Sequence, residues 1–183
     1  MRGFTLLELL IIVLIIGVLA GLAQPVLTRS VTHVFLEGAT SEVATALRYA
    51  RATAINTGRS TRVVFDAANE TVEVSQVVHA NMTDLLDTGQ SELDEVDVDD
   101  PSVWSYIVMD HPMMAGEPYS LDFGATEEYG GLDIVSAVFG AGEAVDFDSS
   151  GFASEDGVVT IDFAGVQSGI KVYSDTGTIL VSN

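Results

Sequence analysis

The chain has 183 residues, no cysteine, and 7 Lys+Arg against 27 Asp+Glu, a formal net charge of −20. Zero cysteines exclude a disulfide framework, a thiolate metal site and a cysteine nucleophile, and 48% hydrophobic residues exclude disorder. The acidic surplus opposes nucleic acid and anionic membrane surfaces as partners, because both need Lys/Arg to neutralise phosphate.

The charge is unevenly spread. Residues 1–62 hold six bases (Arg2, Arg29, Arg48, Arg51, Arg59, Arg62) and three acids (Glu8, Glu37, Glu42), a sum of +3. Residues 63–183 hold 24 acids and one base, Lys171, a sum of −23. The chain therefore divides near residue 60 into two differently made parts.

The first part opens with an apolar run, Leu6 to Ala23, in which Glu8 is the only charge. Eighteen helical residues span about 27 Å, close to the hydrocarbon thickness of a bilayer. Arg2 on its leading side orients such a span with the N-terminus in the cytoplasm. Beyond it, apolar residues recur at spacings of three and four (Val31, Val34, Phe35, Ala39, Val43, Ala46, Leu47, Ala50, Ala54, Ile55), which predicts an amphipathic helix. Asn56-Thr57-Gly58 is its expected stop, with Gly58 as the left-handed cap. A helix from about Phe4 to Thr57 would be ~80 Å long. A membrane stem that continues as a domain's packing helix fits this pattern better than a disposable secretory signal.

Pro25 lacks an N–H and is expected to kink or loosen that helix. Gly17 and Gly21 form a small-xxx-small pair, which either permits close helix approach or reflects the frequency of glycine in membrane helices. Glu8 carries more information. A carboxylate inside an apolar span costs ~2.5–3.5 kcal/mol on insertion scales, so it reads as functional with a partner to be named, or else as snorkelling to the cytoplasmic interface.

Gly3-Phe4-Thr5-Leu6-Leu7-Glu8, followed by the unbroken apolar run, resembles the class III signal and N-terminal helix of type IV pilins and type II secretion pseudopilins. The run ALRYARATAINTGRSTRVVFD, residues 46–66, resembles the GspH/FimT group within them. The resemblance covers residues 3–66 well and 157–183 loosely. It implies cleavage by a prepilin peptidase after Gly3 and methylation of the new amine on Phe4. It implies a filament in which the Glu8 carboxylate pairs with the N-terminal amine of a neighbouring subunit, with Gly17, Gly21 and Pro25 shaping helix packing. The leader Met1-Arg2-Gly3 is very short for the family, with one base. If cleavage follows Gly3, Arg2 leaves and the mature side chains total −21.

The second part reads as all-β. Strands are expected at Arg62–Asp66, Thr71–Val78, Val103–Met109, Tyr119–Phe123, Leu132–Phe139, Val158–Phe163, Ile170–Tyr173 and Thr178–Val181. Ala67-Ala68-Asn69-Glu70 and Asp175-Thr176-Gly177 supply hairpin turns. A sheet wrapped against the Val43–Ile55 helical face gives an α+β fold. The domain organisation is then a cleaved leader at 1–3, a transmembrane stem at 4–27, an amphipathic packing helix at 28–58 and a periplasmic β-rich head at 59–183.

Asp84–Pro101 holds eight acids. It has oxygen enough for calcium but lacks the D-x-[DN]-x-[DN]-G order of a calcium loop, so a solvated excursion and a cation site both stand. Otherwise no metal or cofactor is expected. G-x-S-x-G, H-E-x-x-H and P-loop motifs are absent, and His33, His79 and His111 have no ligand spacing. Asp146–Gly151 reads as a turn rather than a site. Arg48 and Arg51 read as helix-surface bases near acidic sheet residues.

The sequence thus points to a structural assembly protein rather than an enzyme. The resemblance implies a minor pseudopilin of type II secretion, held in the inner membrane and incorporated near the tip of a periplasmic filament. Its partners would be other pseudopilins, the prepilin peptidase and exported proteins, with no nucleic acid. A minor pilin that primes type IV pilus assembly uses the same stem and remains the alternative. DNA uptake, performed by some relatives with basic C-terminal surfaces, is opposed by the −23 of the head.

Overall fold

The structure is a computed structural model that describes residues 5–79, 104–125 and 129–182, with the side chains of 20–31, 79 and 104 outside the description. The leader 1–3, Phe4 and the acidic segment Asp84–Pro101 lie outside the described residues.

Helix α1 runs from Leu6 to Thr57, about 78 Å at 1.5 Å per residue. Thr5 is its N-cap in extended backbone, and its side chain accepts a hydrogen bond from Glu8 N–H. Gly58 ends the helix at φ +68°, a left-handed conformation that glycine adopts without a Cβ penalty, and donates its N–H to Ala54 O. Pro25 does not end the helix, which is assigned on both sides of it.

From Leu36 onward, one face of α1 is buried: Leu36, Ala39, Val43, Ala46, Leu47, Ala50 and Ala54. The alanines let two sheets approach the helix backbone closely, and the three branched side chains, Leu36, Val43 and Leu47, fill the space between them. Val34 and Ile55, which share the apolar spacing, are exposed at the rim of that face.

Eleven strands follow among the described residues: β1 (Thr61–Asp66), β2 (Thr71–His79), β3 (Trp104–Val108), β4 (Asp110–His111), β5 (Met114–Pro118), β6 (Ser120–Asp122), β7 (Leu132–Phe139), β8 (Ala144–Phe147), β9 (Gly157–Phe163), β10 (Val166–Tyr173) and β11 (Thr178–Ser182). They form two main antiparallel sheets, not the single sheet expected. The first has the order β3-β2-β1-β8, with β6 also on β2, and the second has the order β11-β10-β9-β7. β4 and β5 form a separate ribbon.

Alternation sets which faces are inside. In β1, Thr61, Val63 and Phe65 are buried while Val64 is exposed, and in β9 Gly157, Val159 and Ile161 are buried between Val158 and Thr160. Phe65 stacks on Phe139, centroids 5.7 Å apart, which joins the two sheets across the core. The buried Thr61 hydroxyl is satisfied by Ala50 O at 2.9 Å, which ties β1 to the helix.

Three strands escaped the sequence reading. β5 is exposed along its whole length and carries no apolar alternation. β4 is two residues long. β8 takes in Asp146 and Phe147, which the turn signal of Asp148-Ser149-Ser150-Gly151 disguised. Asp148–Gly151 is itself a turn, closed by Gly151 N–H on Asp148 O.

Candidate functional site

The first candidate is the N-terminal half of α1. Every large apolar side chain described from Leu6 to Leu19 is at least 43% exposed, on all sides of the helix. So continuous an apolar surface marks a contact with protein or lipid. Among the described residues no helix is long and apolar enough to cross a membrane. The described side chains of this run stop at Leu19.

Glu8 lies in the first turn of α1, exposed, where a carboxylate complements the positive end of the helix. Its N–H bonds to Thr5 O at 3.1 Å and Thr5 Oγ1 at 3.3 Å. Thr5-Leu6-Leu7-Glu8 therefore also follows the T-x-x-E order of a helix cap, which gives Glu8 a local role beside its place in the apolar run. Gly17 has open space where a Cβ would stand, so none of the described residues occupies that site of close approach. Gly21 and Pro25 lie on the helix, with their side-chain surroundings outside the described residues, and Gly3 and Phe4 lie outside them altogether.

A second constellation fixes the head to the helix. Arg51, half-buried, donates from Nε to Gly151 O and from Nη2 to Thr176 O, both at 2.9 Å. It thus holds the turn after β8 and the β10–β11 turn to α1, and carbonyls rather than the expected acids are its partners. Gly177 completes this junction. Its φ is +60°, and a Cβ there would overlap Gly151 O. Arg48 is exposed on the helix surface, as expected.

A third constellation lies across the first sheet. Arg62 on β1 faces Asp146 on β8 in register, and the guanidinium lies over the Tyr106 ring of β3, 4.0 Å from its centroid. The Asp146 carboxylate raises the Arg62 pKa chiefly by hydrogen bonding, and desolvation followed by the Asp146 charge raises that of Tyr106. This is the one ion pair among the described residues. The pair ties β1 to β8 on one face of the first sheet.

Among the described residues no group of His, Asp and Glu is arranged to hold a metal ion. The candidate cation segment Asp84–Pro101 and the His79 side chain are outside them. His33 is exposed on α1, and His111 packs edge-on against Tyr119, centroids 4.8 Å apart.

The family model described as type II transport protein GspH matches residues 39–178, from the buried half of α1 to the start of β11. The structure is similar to that of the minor pseudopilin EpsH from the Type 2 Secretion System of Vibrio cholerae. One EpsH structure shows 15% identity and a TM-score of 0.52, over 80% of this chain and 95% of that one. A second gives 13% and 0.51, over 80% and 92%. The type IV minor pilin FimU of Pseudomonas aeruginosa gives 15% and 0.47, over 81% and 88%. No curated protein sequence matches the chain. At these identities the structural likeness is one of fold.

Proposed function

The chain belongs to the GspH family of type II transport proteins, and we propose that it works as a minor pseudopilin, a structural subunit of a periplasmic type II secretion filament. As a member of this family it is a structural subunit and not an enzyme.

The observation that carries this reading is the division of α1. One half buries its apolar face in the head, and the other exposes apolar side chains all round with Glu8 among them. A helix of that kind is incomplete alone. In this reading Leu6–Ala23 sits in the inner membrane before assembly and among the stems of neighbouring subunits afterwards. The prepilin peptidase removes residues 1–3 and methylates Phe4. The Glu8 carboxylate then meets the new amine of a neighbour. Two buried opposite charges offset each other's desolvation only when the second chain is in register, so the pair checks assembly. Gly17, Gly21 and Pro25 shape the packing of the stems, and the acidic head faces other subunits and exported proteins.

The test is co-expression of the full chain with the other pseudopilins of its secretion system and its peptidase. Glu8→Leu should leave the unfolding midpoint of the head unchanged and abolish co-purification. Gly3→Val should retain the full-length mass, whereas the parent loses residues 1–3 and gains a methyl group. Co-purification of Glu8→Leu at the parent level would sink the reading.

A further inference from the structure

The outer face of the second sheet carries a row that the fold does not need. Val138 on β7 pairs with Val158 on β9, Val158 with Lys171 on β10, and Lys171 with Leu180 on β11. All four side chains are exposed. Three inter-strand spacings make this row about 14 Å long. Tyr173, two residues beyond Lys171 on the same face, is also exposed. A shallow groove of about 370 Å³ runs along the row beside Val138, Val158, Lys171 and Tyr173.

Charge sets this face apart. Residues 63–163 hold 23 acids and no base, whereas 164–183 hold one of each, Asp175 and Lys171. The sole cation of residues 63–183 therefore stands in a row of apolar residues, and it has no ion-pair or hydrogen-bond partner among the described residues. Asp156 at the end of the groove is engaged by the N–H and hydroxyl of Ser174. Asp133 and Asp162, paired across β7 and β9, lie farther along the face and give it a polar rim.

We propose that this row is a docking surface for a different subunit of the filament, one that lays an apolar segment bearing a single carboxylate across it. Lys171 meets the carboxylate, and Val138, Val158, Leu180 and Tyr173 meet the apolar part. Lys171 is the only Lys or Arg that residues 63–183 offer an acidic partner, and it stands in this row. A second copy of this chain fits less well. A symmetric contact would set Lys171 near its own copy and bring two chains of −20 together. The proposal rests on the reading of the chain as a pseudopilin.

The experiment is pairwise co-purification of the full chain, in detergent, with each other pseudopilin of its secretion system. The variants are Lys171→Arg, Lys171→Glu and the double variant Val158→Ser/Leu180→Ser. All three positions are exposed, so each variant should keep the parent's unfolding midpoint. One partner should bind the parent and Lys171→Arg equally. Its retention should fall about tenfold or more with Lys171→Glu and with the double variant. An Asp/Glu→Lys change in that partner should restore binding to Lys171→Glu. If the parent retains no pseudopilin at all, the functional reading itself fails. If the parent retains its partners and the variants do so equally, the docking surface alone is overturned. Sedimentation showing a homodimer that Lys171→Glu dissolves would overturn the choice of a different subunit.

Discussion

Arg62 and Asp146 sit opposite each other in the β1–β8 ladder and join through two parallel contacts, Nε to Oδ1 and Nη2 to Oδ2, each 2.7 Å. They are 84 residues apart in sequence. A planar guanidinium can make this fork and also lie on the Tyr106 ring; an ammonium can make neither the fork nor the stack. Both side chains are about one-third exposed, so solvent weakens the pair.

Arg62→Lys and Asp146→Asn should each therefore destabilise the head by about 1 kcal/mol at low salt, less than a buried pair would lose. Urea midpoints compared at low and high ionic strength check this. The loss should shrink as salt rises. Midpoints equal to the parent at low salt would show that the pair adds nothing to stability.

The stability of the head should form a plateau with limbs at both ends of the pH range. The side-chain amide and N–H of Asn69 with Ala68 N–H hold the Asp66 pKa below its ordinary value, and the Ser174 N–H and hydroxyl do the same for Asp156. A carboxylate depressed in the folded state adds stability that is complete above the unfolded pKa, about 4, and lost as pH falls through the folded value. Tyr119 is buried, and desolvation, then the Glu42 charge, raises its pKa. Its contribution is complete below about pH 10 and lost as pH rises towards the folded value. Tyr106, shifted the same way but largely exposed, should add little. Asp66→Asn and Asp156→Asn should each flatten the acid limb of a urea-midpoint profile, and Tyr119→Phe the alkaline limb. A profile unchanged in these variants would refute the assignment.

Much of this architecture is legible in the sequence because local signals and burial agree. The stop at Gly58, the β1–β2 hairpin, all eight residues of β7 and the Asp175-Thr176-Gly177 turn follow from spacing and turn chemistry alone. β4, β5 and β8 were not legible, being too short or too polar to show a period. Pairings over long separations were illegible for a different reason. With 27 acids present, nothing marks Asp146 as the partner of Arg62. Nothing local shows that Arg51 reaches two carbonyls 100 and 125 residues away. The sequence also suggested one sheet over the helix, because periodicity reports which residues face inward and not how many layers meet there.

Arg51 and Gly177 make the junction between helix and head testable. Arg51→Ala leaves two carbonyls without their donor and should cost about 1–3 kcal/mol. Gly177→Ala forces a Cβ onto Gly151 O at a left-handed φ, so its cost should be about 2 kcal/mol or more. The double variant should lose less than the sum, since both changes release the same two turns. Thermal unfolding of all three variants measures this, and strict additivity would show that the residues act apart.

The two halves of α1 should respond oppositely to truncation. Leu47 is fully buried between the sheets, and Leu47→Ala should cost about 2–5 kcal/mol through the cavity it leaves. Leu14 is 61% exposed and touches no part of the head's core, so Leu14→Ala should change head stability by less than about 0.5 kcal/mol. Filament assembly should show the reverse order of sensitivity once Leu47→Ala is studied below its unfolding temperature. Equal effects of both variants on head unfolding would mean that the exposed half folds back onto the head.

Thr5 and Glu8 separate capping from assembly. Thr5 Oγ1 accepts from Glu8 N–H at the helix start, so Thr5→Ala removes a cap worth about 1 kcal/mol of local helix stability and leaves the carboxylate in place. Glu8→Gln does the opposite. An amide at this position still suits a capping box, but the charge is gone. If the Glu8 carboxylate serves to pair with a neighbour's amine, Glu8→Gln should fail to co-purify with other pseudopilins as completely as Glu8→Leu, while Thr5→Ala should assemble. If the residue serves only as a cap, Glu8→Gln should behave as the parent and Thr5→Ala should be the impaired variant. The two substitutions lie three residues apart on the same turn, so differences in expression or insertion should affect both alike. The order of their assembly yields then depends on the charge alone.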